Sequence, residues 1–181
     1  FRPLISLYLN ITPDHLDRHK NMNEYFRTKL KMIKNINQND FLIYNKDDEL
    51  LKKSFDKVIA KKIPYSLHEK NKFFRVNSTK IYDENLTPLI SLNDILLKGD
   101  HNLSNLLAAA IIARVLKVKN SNIKNTMKTF SGVKHRLQII KTLNEITYIN
   151  DSKATNISSV IAAINSFKEP IILLLGGKNK D

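Results

Sequence analysis

The chain has no cysteine, which excludes disulfides and thiolate metal sites. No apolar run approaches the length needed to span a bilayer, and no secretory leader is legible. A soluble, cytoplasmic protein without a membrane partner is therefore expected. No Gly-x-x-x-x-Gly-Lys-Thr/Ser run occurs either, so these residues do not carry a phosphate loop of that type. Arginine is scarce and no stacking-aromatic motif appears. That weakens the nucleic-acid reading invited by a formal charge of +13. The lysines are scattered rather than gathered into a stripe, and polyanionic small ligands such as nucleotides suit the charge equally well.

What is present is ample core material: 42% of the 181 residues are hydrophobic, which argues against wholesale disorder. The first residue is Phe1, and Leu4–Leu9 reads as a buried strand already under way. Ile171–Leu175 reads as an apolar strand followed by Gly176-Gly177, with no helix after it. These ends predict a piece of a larger protein, and without a phosphate loop the piece itself is expected to be inactive.

Between them, chemistry-bearing residues gather at the ends of predicted elements. Asn10–His19 follows the first strand, and Asp14, His15 and Asp17 offer oxygen and imidazole to a divalent ion. Met22, Tyr25, Phe26, Leu30, Ile33 and Ile36 recur at helical spacing over 22–36 and define an apolar stripe. Lys29 falls in its middle. There it is either paired, neutralised or chemically changed, or it snorkels to the rim. Phe41–Tyr44 reads as a strand and Asp47-Asp48 as a helix start, while 63–96 alternates loosely as a small antiparallel meander. Gly99–Asn105 opens a strong helix to about Leu116. Asn102 and Asn105 share one face of its first turn, where together they could read a purine edge; the alternative is N-capping by Asp100 or Asn102. A helix over 121–130 precedes a hairpin turning near Asn144.

The densest stretch is Asp151–Asn156, an acid, two hydroxyls, a lysine and an amide in six residues where strand Glu145–Asn150 meets a helix. Such a turn is where α/β proteins hold ligands, and the helix opens with unpaired N–H groups that favour an anion. The bland reading is a polar loop in which Thr155 or Asn156 caps the helix. With Ile171–Leu175 this predicts a βαβ unit and a parallel sheet near the carboxyl end.

Taken together, NITPDHLDRH, the helix around Lys29, GDHNLSNLLAAA, FSGVKHRLQ, INDSKATN and LLLGGKNKD resemble the Mur ligase family, in family order across nearly the whole chain. Lys178-Asn179 departs from the acid and glycine that relatives usually keep after the Gly pair. The resemblance implies an α/β fold: part of a mononucleotide-binding central ATPase domain with a small antiparallel sheet over 1–132, then the first βαβ portion of a Rossmann-like domain over 133–181. It implies an ATP-dependent amide ligase of peptidoglycan synthesis, monomeric at full length, joining D-glutamate to UDP-N-acetylmuramoyl-L-alanine through an acyl phosphate with two Mg2+ ions. By the same resemblance His15 and carbamylated Lys29 serve a magnesium ion and the catalysis. Asn102 and Asn105 meet adenine, Arg136 the phosphates and Asp151 the ribose. Lys153, Thr155 and Lys180 hold D-glutamate. Rival readings are another amide ligase such as folylpolyglutamate synthase, which INDSKATN argues against, and a non-catalytic basic module binding nucleotide or nucleic acid.

Overall fold

A computed structural model describes residues 1–13, 18–97 and 99–177. Its centre is a parallel sheet in the order β1 (Ile5–Tyr8), β2 (Phe41–Asn45), β3 (Lys61–Tyr65). Ile5 stands opposite Phe41, and Ile43 opposite Ile63. Alternation along the strands sends side chains to two cores. Ile43, Ile63 and Tyr65 join Phe74, Ile81, Leu107 and Ile111 on one face. Tyr8, Leu42 and Tyr44 join Tyr25, Leu51 and Phe55 on the other. A strand covered on both faces must be apolar throughout, which is why β2 is FLIY before its first polar residue.

One face is covered by α1 (Met22–Leu30) and α2 (Glu49–Ser54). Asn21 caps α1 by accepting from the Glu24 N–H at 3.0 Å, and Glu24 reaches back to the Lys20 N–H at 2.7 Å. The helix expected over 22–36 is shorter: a 3-10 turn over Lys31–Ile33 follows Leu30. Asp48 caps α2, its Oδ1 accepting from the Leu50 and Leu51 N–H groups at 3.0 Å each.

The other face meets an antiparallel meander of β4 (Phe74–Val76), β5 (Lys80–Asp83) and β6 (Pro88–Ser91), with α3 (Asp100–Val115) and α4 (Asn120–Thr129). The meander is thus narrower than the expected 63–96, because residues 63–65 belong to the parallel sheet. Pro64 fits there because β3 is an edge strand and its lost N–H breaks no inner ladder.

The remainder is a hairpin of β7 (Gln138–Leu143) and β8 (Ile146–Asn150), then α5 (Ile157–Ile164). Asn144 and Glu145 link the strands with φ of 48° and 64°, the two positive values a two-residue turn of type I′ demands. The second strand of the expected βαβ unit is a correction. Ile171–Leu175 pairs with no strand among the described residues, and Ile172 and Leu174 are 90% and 91% exposed. A parallel strand exists only against a neighbour, and among the described residues the second edge of β8 stays unpaired. Hairpin, turn and helix are what surround Asp151.

Candidate functional site

Two elements well separated in sequence build a cleft. The first is the start of α3. Gly99 caps it with φ of 87°, and a Cβ there would lie 2.5 Å from Ser166 Oγ, so only glycine lets the end of the α5 segment sit this close. The second is the turn after β8, held by local hydrogen bonds to the loop before β7. Asp151 Oδ1 accepts from the Leu137 N–H at 3.1 Å, and the Lys153 N–H donates to the His135 carbonyl at 3.0 Å. Asn156 caps α5 by accepting from the Ser159 N–H at 2.8 Å, so the capping role falls to Asn156 rather than Thr155. His135 and Leu137 adopt positive φ of 67° and 43° to make this fit.

Between these elements lies an open cleft lined by His101, Asn102, Arg136, Leu137, Asp151 and Ala154 along with small residues of α5. Asn102, Arg136 and Asp151, separated by up to 49 positions in sequence, therefore face one space (151 − 102 = 49). Asn102 is buried, while Arg136 keeps an exposed guanidinium and Asp151 is half-buried. A carboxamide, a cation and a carboxylate around one cleft suit a ligand with a polar ring, hydroxyls and an anionic group. Asn105 sits one turn further along α3, its Nδ2 3.2 Å from His101 Nε2. Burial holds the His101 imidazole below its ordinary pKa, the Arg136 guanidinium lowers it further and the Asp151 carboxylate opposes both.

Lys153 and Thr155 are exposed on the same turn, just outside the cleft lining. Neither has an ion pair or side-chain hydrogen bond among the described residues. His15 and Lys180 lie outside the described residues. Lys29 does not sit in the core as its place on the stripe suggests: it is exposed, with Nζ 5.2 Å from the centre of the Tyr25 ring. Its long stem carries the ammonium out over the aromatic edge, so burial no longer argues for a modified lysine. Its backbone is nevertheless tied to the sheet, since the buried Tyr8 hydroxyl donates to the Lys29 carbonyl at 2.9 Å. Elsewhere, the Ile11 N–H donates to Asp48 Oδ2 at 2.8 Å. Among the described residues no three His, Asp or Glu side chains gather as a metal site.

Two histidines of the site carry no sequence signal of their own. His101 precedes the asparagine pair, and His135 Nδ1 lies 3.1 Å from Asn150 Nδ2, bracing the turn. A lone histidine at a helix start or in a loop has no periodicity to give it away.

Residues 1–113 match the Mur ligase middle domain, and the chain belongs to that family. The fold agrees: MurF ligase from Thermotoga maritima in complex with ADP superposes with a TM-score of 0.70 at 14% identity, covering 91% of this chain and 39% of that one. A mutant of L. casei FPGS does so at 0.62 and 15% identity, covering 93% and 44%. Among sequence relatives, the UDP-N-acetylmuramoylalanine–D-glutamate ligase of Natranaerobius thermophilus is 42% identical over 99% of this chain. That of Clostridioides difficile is 40% identical over the same share. The chain spans about 40% of the length of these relatives.

Proposed function

We propose that this chain is the section of an ATP-dependent amide ligase that joins D-glutamate to UDP-N-acetylmuramoyl-L-alanine in peptidoglycan precursor synthesis. The observation that carries the reading is the cleft in which Asn102, Arg136 and Asp151 converge, in a chain whose relatives at 40–42% identity bear that ligase's name. The donor set fits a nucleotide: Asn102 and Asn105 offer carboxamides to adenine, Asp151 a carboxylate to ribose hydroxyls, and Arg136 a bidentate fork to phosphate. Lys153, Thr155 and Lys180 would receive the carboxylates of D-glutamate at the mouth. On this reading residues 1–132 belong to the ATPase domain and 133–181 to the domain that brings the amino acid.

The ligase chemistry asks little of these side chains beyond placement and charge. A substrate carboxylate takes the terminal phosphoryl group of ATP to become an acyl phosphate. The amine of D-glutamate attacks the carbonyl carbon, and a tetrahedral intermediate expels phosphate. Arg136 would steady the negative charge of the phosphate chain, while Lys153 and Thr155 align the amine. Two Mg2+ ions would offset charge on the phosphates. His15 fits one such ion as an imidazole donor, and Lys29 only after its ammonium is converted to a carbamate, because an ammonium has no lone pair to give. The exposure of Lys29 leaves its Nζ open to carbon dioxide. Work in the cytoplasm by a monomeric full-length enzyme completes the proposal.

The test is ADP release by the full-length protein, required to depend on both D-glutamate and the UDP-sugar precursor. Turnover with L-amino acids but not D-glutamate would move the chain to another branch of the family. Turnover with folate substrates would favour the branch of the FPGS neighbour, whose likeness to this chain is one of fold alone.

A further inference from the structure

His101 is absent from the roles assigned above, yet it lines the cleft beside Asn102 and touches Asn105. The contact joins Asn105 Nδ2 to His101 Nε2 at 3.2 Å, across the i, i+4 spacing that stacks side chains on one helix face. A carboxamide nitrogen donates and has no lone pair to accept with, so Nε2 must be the acceptor and the proton of the ring must sit on Nδ1. A protonated ring has no acceptor nitrogen and would have to meet Asn105 through Oδ1 instead. Partial burial and the neighbouring Arg136 favour the neutral ring over Asp151's opposing pull. With one Nδ2–H engaged, the amide is fixed in orientation, and Asn105 offers Oδ1 and its second Nδ2–H in a set order.

We propose that His101 is a specificity-positioning residue: it fixes the Asn105 carboxamide so that an acceptor is presented to the nucleobase, selecting a purine with an exocyclic amine over one with an exocyclic oxygen. The inference rests on the nucleotide reading of the cleft and deepens it. An adenine-type edge brings N–H donors to Oδ1. A guanine-type edge brings a carbonyl oxygen against it, two acceptors face to face with neither satisfied. Were the amide free to turn, Nδ2 would serve guanine as readily, and discrimination would fall to Asn102 alone.

The experiment uses the full-length protein, with three variants and two readouts. In the nucleotide-free wild type, nitrogen-15 spectra of histidine should show His101 as the neutral tautomer with its proton on Nδ1. A proton on Nε2 at neutral pH would overturn the proposal regardless of any variant. Titration calorimetry with ADP and GDP then gives the preference. His101→Leu should narrow the ADP-over-GDP ratio by roughly tenfold, the worth of one misdirected hydrogen bond. His101→Gln, which retains an acceptor oxygen, should recover most of it, and Asn105→Ala should narrow the ratio with no added effect from His101→Leu. An unchanged ratio in a His101→Leu protein that still binds ADP overturns the proposal and leaves the ligase reading standing. Failure of the wild type to bind either nucleotide overturns both.

Discussion

Strand β2 and the β7–β8 hairpin are made of similar residues and live in opposite surroundings. Phe41–Tyr44 has a strand on each side and a core on each face, and Leu42 and Ile43 are wholly buried. Ile139, Ile140, Leu143 and Ile146 belong to a hairpin whose register shifts between Ile139 and Lys141, and each is more than half exposed. Apolar residues at strand spacing make a strand in both places, but burial comes from the layers laid over it. The cleft lies on the seam between the two regions. Asn102 is set by a buried helix packed in the main core. Arg136 and Asp151 are set by a few hydrogen bonds between the turn after β8 and the loop before β7, in the exposed region. One wall is therefore held by the fold and the other by local chemistry.

The sharpest test of that contrast is a pair of matched truncations. Ile43→Ala removes three carbons from the main core and should cost about 2–4 kcal/mol in urea unfolding of the chain. Ile140→Ala on the hairpin should cost less than about 0.5 kcal/mol, because its side chain is already largely in water. Equal losses would show that the hairpin is covered in solution and would erase the contrast.

Asp48 and Asp151 make the same comparison with polar groups. Asp48 accepts from three backbone N–H groups, those of Ile11, Leu50 and Leu51. Asp48→Ala should cost about 2 kcal/mol, with Asp48→Asn recovering part of it through a retained oxygen. Asp151 accepts from one such N–H, that of Leu137, near the surface. Asp151→Ala should cost under about 1 kcal/mol of stability while removing most ADP affinity from the full-length protein. If both variants lose stability equally, the second wall of the cleft is more firmly built than its hydrogen bonds imply.

The seam itself can be forced. Gly99→Ala places a Cβ 2.5 Å from Ser166 Oγ on a backbone with φ of 87°. The expected cost is about 1–2 kcal/mol, part strain and part contact. Ser166→Ala removes the nearer of the two Ser166 atoms, leaving its Cβ at 3.1 Å, and should return most of the contact part but not the strain, which a double-mutant cycle in denaturant would separate. Strict additivity would mean that the two segments do not meet.

Much of this architecture is legible in the sequence, and the misses share a cause. Strands β1 and β2, the helix from Asp100, the Asp48 cap and the turn at Asn144 follow from local pattern, because each is fixed by residues within a few positions. Which sheet Ile63 and Tyr65 join, and whether Ile171–Leu175 finds a partner, depend on residues far away in sequence, and alternation does not encode that. Lys29 shows the limit of periodicity in another way: spacing puts it on the apolar stripe, while a four-carbon stem carries its charge off it. At the site, Asn102, Arg136 and Asp151 line one cleft, a juxtaposition that no local pattern encodes. His101 needed the fold, since nothing in a single histidine says which neighbour it will meet.

The smallest expected effect concerns the link between the sheet and Lys29. The Tyr8 hydroxyl donates to the Lys29 carbonyl at 2.9 Å, and burial pushes its pKa up to about 12. In the unfolded chain the same hydroxyl ionises near the ordinary value of about 10. The folded form thus keeps its proton to higher pH. Its contribution to stability is complete below about pH 10 and is lost as pH rises through about 12, because only the unfolded chain gains from ionising early. Tyr44 and Tyr65 are also raised, so the wild type should weaken in alkali through all three. Tyr8→Phe should cost about 1 kcal/mol near neutral pH for the lost hydrogen bond. It should also make the fall in unfolding free energy above about pH 10 shallower by one tyrosine's share. The slope is the informative quantity. A variant that loses stability at neutral pH but keeps the full alkaline slope would mean that the Tyr8 hydroxyl is as acidic in the fold as out of it, and so is not buried against the sheet as the structure places it.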